Sequence, residues 1–197
     1  MGTREENSEA RREAVLRATG TLLDEVGVAA LTIREVALRA GVAQGTVFLY
    51  ADNKAHLVNQ VFGQRIADKW HALFTESEGK RPLDRVEHFY LGCVDIFYAD
   101  LANVQALYRA LASHDGGRLD SVDRVLERVH STLKDAALQG DLVPDSDVDV
   151  LALSYQGLYS NIIQLAAVDT PHAEAKRIIG ESMRQLRNGV ATTKSGR

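Results

Sequence analysis

Cysteine is nearly absent from this chain of 197 residues: Cys93 stands alone, which rules out an intrachain disulfide framework. Three prolines and an aromatic share of 6% leave long stretches without helix breakers and poor in strand-favouring residues. No apolar run approaches the ~20 residues a membrane span needs. Excess positive charge is missing too. The net charge is −4, and the first 60 residues hold seven basic groups against eight acidic ones, so bulk electrostatics does not single out a nucleic-acid partner. Residues 1–13, MGTREENSEARRE, lack the apolar core of a signal peptide, and the expected location is the cytoplasm. The six histidines form no i,i+4 zinc pair, and there is no phosphate-binding glycine loop or nucleophile elbow. The expectation is a chain without catalytic residues, metal or cofactor, and not an enzyme.

What is present is helical periodicity. In the stretch 32–50, TIREVALRAGVAQGTVFLY, Ile33, Val36, Ala37 and Ala40 fall at i, i+3, i+4 and i+7 and line one helical face. Thr32 precedes that face and Glu35 follows three residues later, the spacing of a capping box in which the hydroxyl accepts the Glu35 amide and the carboxylate reaches back to the Thr32 amide. Gly41 suits the left-handed residue that ends a helix. A second helix over 44–50 would lay Val42 and Val47 against the first and turn Gln44, Thr46, Leu49 and Tyr50 elsewhere. This is helix-turn-helix geometry, whose second helix enters the DNA major groove.

The segment from Arg12 to about Leu57 resembles the DNA-binding domain of TetR-family transcriptional regulators. The matching residues are Thr32-Ile33-Arg34-Glu35-Val36-Ala37, Arg39-Ala40-Gly41-Val42, Gly45-Thr46-Val47-Phe48, Tyr50, and Asn53-Lys54 with Leu57. The resemblance implies an all-α fold, with a three-helix DNA-binding domain over 8–57 and a helical ligand-binding and dimerisation domain over 58–189. It implies double-stranded operator DNA as partner, with Thr32, Arg34, Gln44, Gly45, Thr46, Phe48, Leu49, Tyr50 and Lys54 at the DNA. Gln44 has the groups to bond adenine bidentately, Gly45 permits close backbone approach, and Lys54 stands at a helix start capped by Asn53, where phosphate is favoured. Four positions depart from the family pattern. Ala43 replaces the common Ser, Gln44 a frequent Lys, Phe48 a frequent Tyr and Ala51 a common Phe. Arg11 and Arg12 are either phosphate contacts or solvated charges.

A first helix from about Ser8 to Val26 is expected to bury Val15, Ala18, Leu22, Leu23 and Val26 and to stop at Gly27. A long helix from Lys54 to about Phe74 carries Leu57, Val61, Phe62, Ile66, Trp70 and Phe74. Pro82 opens the next, with Val86, Phe89, Tyr90, Cys93, Val94 and Phe97 apolar. Further helices are expected over 101–111 and 118–139, separated by a loop at 113–117, the second with Leu119, Val122, Val125, Leu126, Val129, Leu133 and Ala137 inward. The helix after 145–149 is apolar nearly all round, from Val150 to Ala166, and so expects cover on every side. The last runs from Pro171 to a stop at Gly189, with ATTKSGR, 191–197, as a tail. The resemblance implies that these last two helices form a homodimer interface, and that the second domain binds a small molecule. Candidate lining residues are Trp70, Phe89, Tyr90, Cys93, Phe97, Tyr108, Tyr155, Tyr159 and Asn161. With few fixed charges, they point to an apolar or aromatic effector. Cys93 reads either as a redox sensor or as an inert small hydrophobe, and an architectural DNA-binding protein without a ligand stays open as an alternative.

Overall fold

The computed structural model describes residues 4–112 and 120–190, with side chains for all but 4, 107, 108, 110–112 and 120–124. Among them are nine α-helices and no β-strand: α1 Arg4–Ala30, α2 Ile33–Ala40, α3 Gln44–Val47, α4 Lys54–Glu76, α5 Pro82–Ala99, α6 Leu101–Ala112, α7 Asp120–Leu138, α8 Val148–Ala167 and α9 His172–Val190. The expected loop at 113–117, the tail from 191, Leu119, and the side chains of Val122 and Tyr108 lie outside what is described. The packing forms two compact units. One ends at Arg65 and takes in the chain from Ala102; the other holds Ile66–Leu101 and the chain from Asp120. The expected division at 57/58 falls inside the first.

In the first unit, α1 starts four residues before the expected Ser8. Its helical geometry breaks at Gly27, where φ 74° and ψ 172° suit glycine alone. Val15, Ala18, Leu22 and Leu23 are buried as expected, joined by Thr19. Val26 is half exposed instead, because Val28 and Leu31, just past the break, occupy the interior. The Thr32 hydroxyl accepts the Glu35 amide at 3.2 Å. The return half of the cap differs from the expectation: the Glu35 carboxylate accepts from the Thr32 hydroxyl at 2.7 Å, not from its amide. Gly41 adopts φ 68°, and the Val42 amide bonds back to Ala37 O at 3.0 Å, sealing the end of α2.

The second helix of the pair is shorter than the expected 44–50. Ala43 offers no side-chain cap, a loss of about 1 kcal/mol, and Gly45 weakens a helix interior by a similar amount. One α-helical turn survives, and the chain continues through tighter bonds from Leu49 N to Thr46 O and from Tyr50 N to Val47 O. Asn53 caps α4 as expected, its side chain accepting the His56 amide at 2.8 Å.

In the second unit, α5 is the central element. Pro82 stands at its first turn, and Val86, Phe89, Tyr90, Cys93, Val94 and Phe97 are all buried. Gly92 is where α4 approaches: a Cβ there would lie 2.4 Å from Leu73 Cδ2. Ion pairs fasten α9 to α5, with Arg187 on Asp84 at 2.7 Å and on Glu87 at 3.0 Å, and Lys176 on Asp95 at 2.7 Å. On α7, Val129, Leu133 and Ala136 are buried while the expected Ala137 is exposed. Asp147 caps α8 through the amides of Asp149 and Val150. Only part of α8 is covered: Leu151, Tyr155, Leu158, Tyr159, Ile162 and Ala166 are buried, whereas Val150 and Leu153 are 59% and 67% exposed. Gly189 does not end α9, which runs on to Val190, whose carbonyl accepts the Val143 amide at 2.6 Å.

Candidate functional site

The α2–α3 corner presents one outward face. Val36, Ala37 and Val47 are buried behind it, and Ala51 fills the interior beneath it. Thr32, Arg34, Gln44, Gly45, Phe48 and Leu49 are exposed, while Thr46 and Tyr50 are half-buried. Eight of the nine residues expected at DNA are thus exposed or half-buried on or beside α2 and α3, and the ninth, Lys54, is occupied. Its ammonium donates to Ala29 O at 3.1 Å, and desolvation lowers its pKa. Tyr50 is held at two points: its hydroxyl donates to Ser8 O at 3.2 Å, and its carbonyl accepts Gln60 Nε2 at 2.7 Å. Arg12 pairs with Glu9 at 3.3 Å.

Several residues that support this face are not apparent from the sequence. Arg65 forks onto Asp24 at 2.6 and 2.9 Å and also reaches Gly20 O at 3.2 Å, tying α4 to α1. Its hydrogen bond holds the Asp24 carboxyl below the usual range. Arg39 pairs with Glu25 at 2.5 Å, tying α2 to α1. Asn103 accepts the Val28 amide at 2.7 Å, beside the Gly27 break. Gln60 and Arg65 lie nearly two and about three turns into a long amphipathic helix, and only a contact map would have singled them out.

In the second unit, seven of the nine expected ligand-lining residues come together. Trp70, Phe89, Tyr90, Cys93, Phe97, Tyr155 and Tyr159 are all buried. Trp70 sets its edge against Tyr159 and Phe89, with centroids 5.6 and 6.4 Å apart. Phe89 stacks on Phe74 at 4.7 Å, and Tyr90 stacks on Tyr155 at 5.6 Å. One polar atom inside this cluster, Tyr90 Oη, is buried without a hydrogen-bond partner, a state that native interiors seldom tolerate, and the Trp70 indole N–H has only the weak acceptor Cys93 Sγ. Burial pushes the Tyr90 and Tyr159 phenols well up, and Tyr155 up to about 12. It also raises the Cys93 thiol, so the structure favours the inert hydrophobe over the redox sensor.

Asn161 is not part of the cluster. It is exposed and lines a surface groove of about 510 Å³ between α8 and α9, with Ser154, Gly157, Leu158, Gln185 and Leu186. The reason is rotational: Tyr155, Leu158, Tyr159 and Ile162 take the inner side of α8, and Asn161 falls on the opposite one. Among the described residues no group of His, Cys, Asp and Glu could hold a metal, and no helix is long and apolar enough to cross a membrane.

Residues 15–61 match the family described as bacterial regulatory proteins, tetR family. The HTH-type transcriptional repressor KstR of Rhodococcus jostii (strain RHA1) is 29% identical over 115 residues, 58% of this chain and 54% of that protein. The HTH-type transcriptional regulator BetI of Stenotrophomonas maltophilia (strain R551-3) is 31% identical over 87 residues, 43% of this chain and 44% of that protein. The chain thus spans about half the length of the curated relatives it matches. Among solved structures, Thermus thermophilus FadR, a TetR-family transcriptional repressor in complex with lauroyl-CoA, superimposes with a TM-score of 0.72 at 20% identity, covering 94% of this chain and 98% of that one. The ketosteroid transcriptional regulator KstR2 of Mycobacterium tuberculosis gives 0.56 at 17% identity over 93% and 96%. At such identities the likeness is one of fold.

Proposed function

We propose that this chain, whose residues 15–61 match the tetR family of bacterial regulatory proteins, is a homodimeric transcriptional repressor of that family, released from its operator by a small apolar or aromatic molecule. The observation that carries the reading is the α2–α3 face, where Gln44, Gly45, Phe48 and Leu49 stand exposed over a buried backing of Val36, Ala37 and Val47. In a dimer, two such faces would read half-sites about one helical turn or more apart. Gln44 supplies an amide for adenine, Thr46 and Tyr50 supply hydroxyls for phosphate, and Phe48 and Leu49 supply apolar surface for thymine methyl groups.

Dimerisation is supported by the bare side of α8, where Val150, Leu153, Ser154 and Gly157 face outward beside the α8–α9 groove. Exposed apolar side chains next to small residues suit a second copy of the same helices. The effector reading is supported by the aromatic cluster and its unpartnered Tyr90 hydroxyl, which a ligand acceptor atom would satisfy. Thermus thermophilus FadR, which shares the fold, holds lauroyl-CoA. For ligand and DNA to compete, the ligand must prefer the conformation that binds DNA less well.

Selection of random duplex DNA on the purified protein, followed by sequencing, tests the regulator. A single palindromic motif is the expected result. Retention without a motif would replace the reading by an architectural one. Release of the selected duplex by members of an apolar and aromatic metabolite library tests the effector, and no release by any of them would overturn that half.

A further inference from the structure

Arginines in the second unit are matched to carboxylates almost everywhere. Arg81 pairs with Asp84, Arg177 with Glu174, Arg184 with Glu181, and Arg187 with Asp84 and Glu87. Among the described residues Arg85 and Arg128 break this rule: neither has a carboxylate within ion-pairing distance. Arg128 borders the aromatic cluster, and Arg85 lies on α5 one turn before its member Phe89. The Arg128 guanidinium lies over the Phe74 ring, 4.8 Å from its centroid, and one of its N–H groups meets His71 Nδ1 at 3.3 Å. Phe74 in turn stacks on Phe89. Arg85 stands one turn before Phe89 on the same helix, and its Nε is buried with no hydrogen-bond partner. One turn further along α5, His88 has its Nε2 buried and poorly served, with Glu76 Oε2 at 3.5 Å.

A buried guanidinium N–H without an acceptor is costly, and a guanidinium without a counter-charge invites a planar oxyanion. From this we infer that Arg85 and Arg128 form a cationic rim that receives the anionic head group, a carboxylate or a phosphate, of an amphipathic effector whose apolar body lies against Phe74, Phe89 and Trp70. This rests on the effector reading and narrows it: the ligand is an acid with a long apolar part, not a neutral hydrocarbon or a plain aromatic.

Trp70 is the sole tryptophan of the chain and sits in the cluster, so its emission reports occupancy without a label. Decanoate, decyl phosphate and decanol, each kept below micelle formation, would be titrated into the full chain. The expected result is that at least one of the two anions binds about tenfold or more tightly than decanol, and which one it is identifies the oxyanion. In Arg85→Gln/Arg128→Gln that preference should vanish while decanol binding stays. Arg128→Gln alone, at a half-buried position, should lose part of it and guards against a folding defect in the double variant. Equal affinity for decanol and both anions, or a preference that survives the double variant, overturns the rim and leaves the effector reading standing. If none of the three perturbs Trp70, the rim is overturned, and release of DNA by other compounds decides the effector reading separately.

Discussion

The side-chain oxygen of Asn103 accepts the amide of Val28 at 2.7 Å, one residue past the Gly27 break in α1. Val28 is buried, so this amide has no recourse to water if the acceptor is removed. Asn103→Leu should cost about 1–3 kcal/mol, the range for an orphaned buried donor, read as a lower urea midpoint. Gly27→Ala should be at least as damaging, since its φ of 74° with ψ 172° strains any side chain.

Gly92→Ala sets a helix-propensity gain of about 1 kcal/mol against a new methyl that meets Leu73 Cδ2 and Cδ1, so Leu73 must change rotamer and the net loss should lie at the low end of about 1–3 kcal/mol. Leu73→Ala in the same chain should recover part of that loss. A double-mutant cycle in urea checks the coupling; strict additivity would show that the two helices relax apart instead.

The Asp24–Arg65 pair should make stability depend on acid. Its hydrogen bond holds the Asp24 carboxyl below 3.8 in the folded chain, so the contribution is present above that value and is lost as pH falls through the folded value. Arg65→Gln should therefore be less stable than the parent at pH 7, with the gap closing below about pH 4. Both partners are largely exposed, and the gap should be small. At the other extreme, the raised phenols of Tyr90, Tyr155 and Tyr159 favour the neutral form. Their stabilisation is complete below pH 10 and is lost as pH rises through the folded values. Phenolate absorbance should show these three tyrosines titrating only as the chain unfolds.

DNA binding should depend mildly on salt. The α2–α3 face carries Arg34 as its exposed cation at the expected DNA residues, and Lys54 is engaged with Ala29 O. Equilibrium binding across salt concentrations should give a log–log slope well short of that for about six phosphate contacts per half-site; a slope that steep would sink the expectation. Gln44→Ala should relax discrimination at one base pair by about 1–3 kcal/mol.

Leu153→Glu should leave the fold intact, since Leu153 is 67% exposed in the single chain, yet yield a monomer in sedimentation if the bare side of α8 is the dimer contact. A dimer of unchanged affinity would place the contact elsewhere.

Helix positions were legible because the periodicity and its punctuation agree: Thr32, Gly41 and Pro82 each stand at or beside a helix end in the structure. The length of the second helix of the pair was not legible, because a match at Gly45-Thr46-Val47-Phe48 says nothing of how far a helix lacking a side-chain cap extends. The aromatic members of the site could be read from one face of α5 and one of α8. Asn161 could not be excluded, because an α8 apolar nearly all round hides which side faces inward until its neighbours are in place. The pairings that hold the first unit, Arg65 with Asp24 and Asn103 with Val28, join residues 41 and 75 positions apart, and neither period nor motif reaches so far.

Cys93, the one thiol, is wholly buried, and burial suppresses its thiolate. Reagents that alkylate thiols will reach it only when the core of the second unit opens, so the labelling rate times that opening in the native chain. By the same token, a cysteine introduced on the surface would be the sole fast-reacting site, ready for a spectroscopic probe without first removing the native one.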